Sequence, residues 1–271
     1  LTPKAVSAEA DWFKINLAWN PNKEVDLSGY NIYRSENDSL NFEKLNAAPL
    51  SVTIFEDDEI NSGSYYFYYV SAVDKEGNES AEKSILRSRA VTLNEGIVVS
   101  DETENGDGTE PKPSDMEVDE YYKKILKGFS YSEIDSDENG GIDLADLGPY
   151  QTVLWHGDDN SDFNFSLSAA EDIQKYLEFG GNIIYSGFKP SRAFANNTSA
   201  HADFEEGDFI YDYLKIGQSD YNLFSRFNGA VSQDEGYENM FIDSAKTSAS
   251  LDYHLRGIEV IEPVDEGESI F

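Results

Sequence analysis

The sequence predicts two modules of different fold class: an all-β sandwich over residues 1–93 and an α/β module with a parallel sheet over residues 95–271. Two observations predict this division. In the first segment, short runs that alternate apolar and polar residues are separated by turn residues, which is typical of sandwiches. In the second segment, short apolar runs alternate with stretches of helical spacing, which favours a parallel sheet with crossover helices.

The strands of the first segment are marked by a side-chain period of two. The run over residues 13–19 places Phe13, Ile15, Leu17 and Trp19 on one face. Later strands are predicted at residues 30–34, 65–73 and 85–93, with a hairpin-type turn at residues 74–78.

Three stretches of this segment resemble fibronectin type III domains: Trp19 in its strand, SGYNIYRS at 28–35 and YYVSAVDKEGNES at 68–80. The resemblance implies a seven-stranded, immunoglobulin-like sandwich with Trp19 in its core. Modules of this family most often act as spacers or interaction domains. The aromatic strand at 65–73 is interpreted as core packing, and a carbohydrate-stacking surface is the alternative.

The second segment alternates between the two kinds of element. Strands are predicted at residues 96–100, 131–134, 151–155 and 182–185, and helices at residues 116–129 and 166–179. Residues 204–216 are predicted as a third helix and residues 257–261 as a fifth strand. Because the chain ends soon after that strand, we expect a closing element of the module to lie beyond it.

This segment resembles the class I glutamine amidotransferase-like, flavodoxin-like modules of secreted bacterial proteins. The likeness is carried by GIVVSDET at 96–103, LADLGPYQTVLWHGDD at 144–159 and IQKYLEFGGNIIYSG at 173–187. That family uses a cysteine nucleophile on the turn after a strand, with a histidine and an acid. Here the corresponding turn carries Ser186, and the chain contains no cysteine, so the resemblance does not extend to glutaminase activity.

The composition excludes several classes of function. The chain has 53 acidic and 20 basic residues, a net charge of −33. A surface this acidic repels phosphate backbones and anionic headgroups, and we therefore expect no nucleic-acid partner. No apolar run approaches the ~20 residues of a membrane span, so we expect no membrane insertion. The acidity suits an extracellular or cell-surface location and a cation partner, above all calcium.

The carboxyl ends of parallel strands meet at one edge of the sheet, where ligands bind in this class of fold. The candidate residues at this edge are Asp101, Glu102, Asp135, Asp137, His156, Asp158, Asp159 and Ser186. Ser186 could pair with one of the three histidines, His156, His201 or His254. His156 beside aspartates suggests a metal or catalytic dyad, but no second histidine lies at ligand spacing, which favours a surface histidine.

The most specific pattern is a twelve-residue calcium loop over residues 135–146. Its ligands are predicted to be Asp135, Asp137, Asn139, the carbonyl of Gly141, Asp143 and the closing Asp146. An aspartate in last place resembles the loops of dockerin-type modules. Since the flanks are a strand and Pro149 rather than two helices, an acidic connection without an ion is the alternative.

Three functions follow from these features. The first is a non-catalytic, calcium-stabilised pair of modules from a larger exported protein, with other modules or copies of itself as partners. The second is a hydrolase that uses Ser186 or a metal at Asp101, Asp158 and Asp159. The third is a glycan-binding protein that uses exposed aromatic side chains such as Trp12 or Trp155.

Overall fold

The protein is largely β-sheet in its computed structural model. The structure describes residues 1–103, 115–157, 164–187, 191, 194–195, 199–232, 235–242 and 255–264. Within this part of the chain, no helix is both long and apolar enough to cross a membrane.

The first strands form two antiparallel sheets that face each other. One contains β1 (Lys4–Asp11), β2 (Lys14–Asn20) and β5 (Ile54–Asp57), in that order. The other runs β4 (Glu43–Lys44), β3 (Leu27–Glu36), β6 (Tyr66–Asp74) and β7 (Leu86–Ser88). This division of seven strands into three and four is fibronectin type III-like, which confirms the fold expected for the first segment.

The sandwich core is built by the alternation that the sequence predicts. Ile15, Leu17 and Trp19 are buried on one face of β2, and they pack against Tyr30 from β3. Phe13 departs from the prediction: its φ of 53° interrupts the extended backbone, and its side chain is half exposed. The alternation therefore begins only at Lys14.

A third sheet has four parallel strands. They are β8 (Glu95–Asp101), β9 (Tyr131–Asp135), β10 (Tyr150–His156) and β11 (Asn182–Ser186), in the spatial order β9-β8-β10-β11. The helices between them are α1 (Asp115–Ile125), α2 (Ser136–Asn139), α3 (Leu144–Leu147) and α4 (Asn164–Glu178). Ala169, Ile173 and Tyr176 of α4 are buried against the sheet, as their helical spacing predicts.

In the last third of the chain the predicted helix is wrong, and the predicted strand is confirmed but lies in a different sheet. Residues 204–216 contain only one helical turn, α5 (Phe209–Asp212), because Gly207 and Lys215 adopt positive φ on either side of it. Residues 257–261 lie in β16 (Leu255–Pro263), which does not join the parallel sheet. Instead β16 pairs antiparallel with β13 (Ile216–Phe227), and β12 (His201–Asp203) completes that sheet; β14 (Gly229–Ala230) and β15 (Met240–Phe241) form a separate short pair.

A buried seam joins the sandwich to the parallel sheet. The backbone N–H groups of Thr92 and Leu93 both donate to the carbonyl of Gly148, at 2.9 and 3.0 Å. Val91 is fully buried in the core that surrounds the parallel sheet. A Cβ on Gly148 would lie 2.9 Å from both the Leu144 carbonyl oxygen and Val91 Cγ2, so the two backbones approach as closely as glycine permits.

Candidate functional site

The carboxyl edge of the parallel sheet brings together residues from all four of its strands. The strand register pairs His156 with Asp101 on one side and with Ser186 on the other. Asp135 stands opposite Asp101 on the next strand. Asp158, Asp159 and His254, also predicted here, lie outside the described residues, as does the side chain of Asp137.

His156 is buried, with 2% of its surface exposed, so its interpretation as a surface histidine is wrong. Its Nδ1 atom lies 3.3 Å from Asp101 Oδ1, a close contact without hydrogen-bond alignment. Neither ring nitrogen forms a hydrogen bond to any residue of the described chain. The ring stacks on Tyr122, with centroids 4.2 Å apart and planes 9° from parallel. Burial lowers the pKa of His156 to about 4, so the ring is neutral at pH 7.

The structure does not form a Ser186–histidine pair. His156 makes no hydrogen bond to Ser186. The exposed Ser186 interacts instead with Tyr122. Burial raises the pKa of Tyr122, and the contact with Ser186 partly offsets this rise. His201 lies on β12, where its ring nitrogens contact Asp220 and Asp203 at 2.9 and 3.3 Å. The hydrogen bond that would activate a serine nucleophile is therefore missing among the described residues.

The prediction that Trp155 is exposed and stacks on glycans is wrong, because its side chain is fully buried. Its indole Nε1 donates to Glu102 Oε2 at 2.8 Å, and Glu102 is itself 4% exposed. This pair satisfies a buried carboxylate beside the strand ends and leaves no aromatic face for a sugar.

Two further carboxylates, Asp119 and Glu133, reach the same edge, and neither was predicted from the sequence. Asp101, Asp119 and Glu133 each offer an oxygen within 4.8 Å of the other two. Asp119 lies on α1 three residues before Tyr122, so a lone carboxylate on the inward face of a helix was the available signal. Glu133 lies in the middle of β9 and carried no such signal.

The loop at 135–146 is held by hydrogen bonds within the protein. Asp135 Oδ1 accepts from the backbone N–H of Glu138 at 3.0 Å, at the start of α2. Asn139 Nδ2 donates to the Gly141 carbonyl oxygen at 2.7 Å. Asp143 caps α3, where its Oδ1 accepts from the Asp146 N–H at 3.1 Å.

Asp146, the closing residue of that loop, points into the seam and is 1% exposed. Its carboxylate accepts from the Tyr65 hydroxyl, from Asn139 Nδ2 at 3.0 Å, and from Arg87, whose Nη2 lies 3.2 Å from Oδ1. Burial raises the pKa of the neighbouring Asp143, and the charge of Asp146 adds to the effect. An arginine thus supplies the positive charge that a calcium ion would supply, and calcium binding by this loop stays a prediction.

A cleft of about 400 Å³ opens on the surface of the seam. It lies between the sandwich and the α3–α4 region, and its lining includes Asp11, Arg87, Asp143, Asp172, Lys175 and Phe179. Trp12, which is 45% exposed, stacks on Phe179 with centroids 6.1 Å apart and planes 13° from parallel. The cleft thus combines the ring of Phe179 with charged groups that can donate and accept hydrogen bonds.

Comparison with known proteins finds partial similarity. No family model matches the chain. The amylopullulanase of Thermoanaerobacterium saccharolyticum is 40% identical over 78 residues, which are 29% of this chain and 6% of that protein. The amylopullulanase of Thermoanaerobacterium thermosulfurigenes is 40% identical over 67 residues, 25% of this chain and 3% of that protein. The chain thus matches only a small part of these curated relatives.

Solved structures give similarities of the same extent. An Fn3-like protein from Clostridium thermocellum is 26% identical and covers 34% of this chain and 95% of its own, with a TM-score of 0.29. A β-1,2-glucanase from Parabacteroides distasonis is 23% identical over 33% of this chain and 13% of its own, with a TM-score of 0.27.

Proposed function

We propose that this chain is a non-catalytic accessory unit of a larger exported protein that acts on glycans, with residues 1–93 and 95–271 as its two modules. The observation that carries the proposal is the buried seam, which fixes the sandwich against the parallel sheet. The similarity of part of the chain to amylopullulanases supports the glycan context. A unit of this kind holds the neighbouring parts of a larger protein at a set distance and angle.

Arg89, which is 6% exposed, makes two short hydrogen bonds across the seam. Its Nε donates to the Ala145 carbonyl and its Nη2 to the Asp146 carbonyl, both at 2.7 Å. These carbonyls belong to the short helix α3, whose last carbonyls lack partners within the helix. Because a buried guanidinium is tolerated only when it is paired, this joint has one favoured position rather than a range of positions.

The strand order of the parallel sheet supports a flavodoxin-like ancestry for the second module. Across the sheet the strands follow the order β9, β8, β10, β11, so the second strand in the sequence lies at the edge beside the first. Doubly wound folds of the flavodoxin type have this strand order. The amidotransferase-like interpretation rests on the same order together with the sequence resemblance. Since the chain has no cysteine, the module would keep the scaffold of that family without its nucleophile.

Calorimetry of the whole chain tests the rigid pair. Two domains that share a buried seam are expected to unfold together, so a single transition should appear, with the calorimetric and van't Hoff enthalpies equal. Two resolved transitions would contradict a rigid unit. A fluorophosphonate probe tests the absence of catalysis: we expect no labelling of wild type above that of Ser186→Ala, and labelling that Ser186→Ala abolishes would favour the hydrolase.

Glycan binding is a second candidate function, and the stacked Trp12–Phe179 pair beside the charged cleft favours it. Sugar rings would stack on an exposed aromatic face while the charged groups bond their hydroxyls. Native gel electrophoresis with and without embedded pullulan tests this idea. Retardation by pullulan should disappear in Trp12→Ala and persist in Phe129→Ala, which removes an exposed aromatic outside the cleft. Equal mobility of wild type in both gels would reject it.

A further inference from the structure

We infer that the carboxyl edge of the parallel sheet binds a hard divalent cation of the Ca²⁺ and Mg²⁺ class through Asp101, Asp119 and Glu133. Each of these carboxylates offers an oxygen within 4.8 Å of the other two. Oxygen ligands lie roughly 2.0–2.6 Å from such ions, so one ion between the three oxygens can contact all of them. The three ligands come from β8, α1 and β9, so the ion would tie three elements together.

The buried His156 is the independent observation that points to a ligand here. It is 2% exposed, its Nδ1 lies 3.3 Å from Asp101 Oδ1, and neither ring nitrogen has a hydrogen-bond partner among the described residues. Buried polar atoms are nearly always hydrogen-bonded, so an imidazole without partners among the described residues calls for a further group at this position. A water molecule held by the cation is a hydrogen-bond donor, and so it can serve the ring nitrogen that carries no proton.

The charge balance of the cluster also favours a cation. Lys123 is the positive group at Asp119 in the described structure, with Nζ 3.1 Å from Oδ2. Both residues of this pair belong to the same helix, and the Lys123 side chain is half exposed. Ion pairs of this kind contribute little to stability. The other oxygen of the same carboxylate, Asp119 Oδ1, is buried without a partner among described residues. Asp119 thus keeps a buried oxygen beside the carboxylates of Asp101 and Glu133, and a divalent ion would balance the charge of the cluster.

The ligand atoms decide the class of ion. Three carboxylate oxygens suit hard cations, whereas zinc is bound mainly by histidine and cysteine. Glu133 is exposed, so water has access to complete the coordination on that side, as Mg²⁺ in particular requires. The site is separate from the predicted 135–146 loop, whose closing carboxylate is already paired with Arg87.

Calorimetric titration of the full chain with CaCl₂, MgCl₂ or ZnCl₂ tests the proposal. Asp119→Asn should weaken binding of Ca²⁺ or Mg²⁺ by at least about tenfold, since affinity follows the number of charged ligands. Glu120→Gln is the matched control, because it removes the same charge from the next position of α1, and it should bind as wild type does. Lys123→Gln should tighten binding, because it removes the cation that competes for Asp119.

A spectroscopic readout locates the ion. The chain has three histidines, so the His156 ring signal in a ¹H–¹³C spectrum can be identified by its loss in a His156→Asn variant. Addition of the binding ion should shift the His156 signal in wild type, and not in Asp119→Asn. The absence of binding by Ca²⁺ and Mg²⁺, binding of Zn²⁺ alone, or equal binding by wild type and folded Asp119→Asn would each overturn the proposal.

Discussion

Two clusters of carboxylates among the described residues differ in the positive charge that lies beside them. At the seam, Asp146 is surrounded by donors, with the Arg87 guanidinium 3.2 Å away. At the strand ends, Asp101 and Asp119 lie beside a histidine that has no hydrogen-bond partner among the described residues. The seam cluster matches a known calcium pattern and the strand-end cluster matches none. The role of a carboxylate therefore depends on which positive groups the fold brings to it.

Removal of the buried arginine of the seam should have the largest effect. Arg89→Ala leaves two buried carbonyls, those of Ala145 and Asp146, without their donors. We expect a loss of about 3 kcal/mol in the free energy of unfolding, measured by urea denaturation. Arg89→Lys keeps the charge but not the two-pronged geometry, so it should recover only part of that loss. A change within about 0.5 kcal/mol for Arg89→Ala would show that the seam is not a fixed joint.

Neutralisation of the closing residue of the loop tests the seam cluster directly. Asp146→Asn breaks the ion pair with Arg87 and leaves that guanidinium with Asp143 alone, at 3.5 Å. The expected loss is about 2–3 kcal/mol. Because the partner is an arginine, the loss should be the same in calcium and in EDTA. A loss that appears only in calcium would instead place the ion in the 135–146 loop.

The close approach of the two backbones gives a third test. In Gly148→Ala the new methyl group would meet the Leu144 carbonyl and Val91 at 2.9 Å, so the seam must open slightly. We expect a loss of about 1–3 kcal/mol. Gly96→Ala is the control, because its Cβ would meet only the Ser130 carbonyl oxygen at 3.7 Å. Equal stability of the two variants would mean that the contact at Gly148 is not tight.

The smallest effect is expected in the cleft, and it depends on pH. Burial raises the pKa of Asp172, although Lys175 partly offsets this, so the ionised carboxylate is disfavoured in the folded state. Asp172→Asn should therefore be slightly more stable at pH 7, by no more than about 0.5 kcal/mol. The gain should shrink as the pH falls through the raised folded pKa and vanish below the unfolded value of 3.8, where both states are protonated. Thermal melting at pH 7 and pH 3.5 measures it, and a variant less stable at pH 7 would contradict the pKa direction.

Much of the fold could be predicted because burial leaves a local pattern. The alternation of Ile15, Leu17 and Trp19 and the apolar runs of β8 and β10 each identify a strand from its own residues. The prediction of a helix at 204–216 is wrong because spaced apolar residues indicate burial in a helix and in irregular structure alike. The positive φ at Lys215, which ends the single helical turn, has no signal in the sequence. The pairing of β16 with β13 depends on contacts between distant residues, which a local pattern does not contain.

The candidate site was predictable only in part, for the same reason. Asp101 and His156 were found because parallel strands end at one edge, so their meeting follows from topology alone. Asp119 reaches the edge only through the way α1 docks on the sheet. Arg87 reaches Asp146 across 59 residues of chain, and nothing near the acidic loop indicates that it is neutralised. Patterns of ligand spacing thus identify candidate oxygens, while the donors that compete for them come from elsewhere in the fold.

The most direct test of the contrast between the two clusters is a crystal structure of the full chain with Mn²⁺, which substitutes for hard divalent ions and scatters anomalously. The account predicts an anomalous peak between the carboxylates of Asp101, Asp119 and Glu133, with the Arg87–Asp146 pair intact. A peak within the 135–146 loop and none at the strand ends would contradict it.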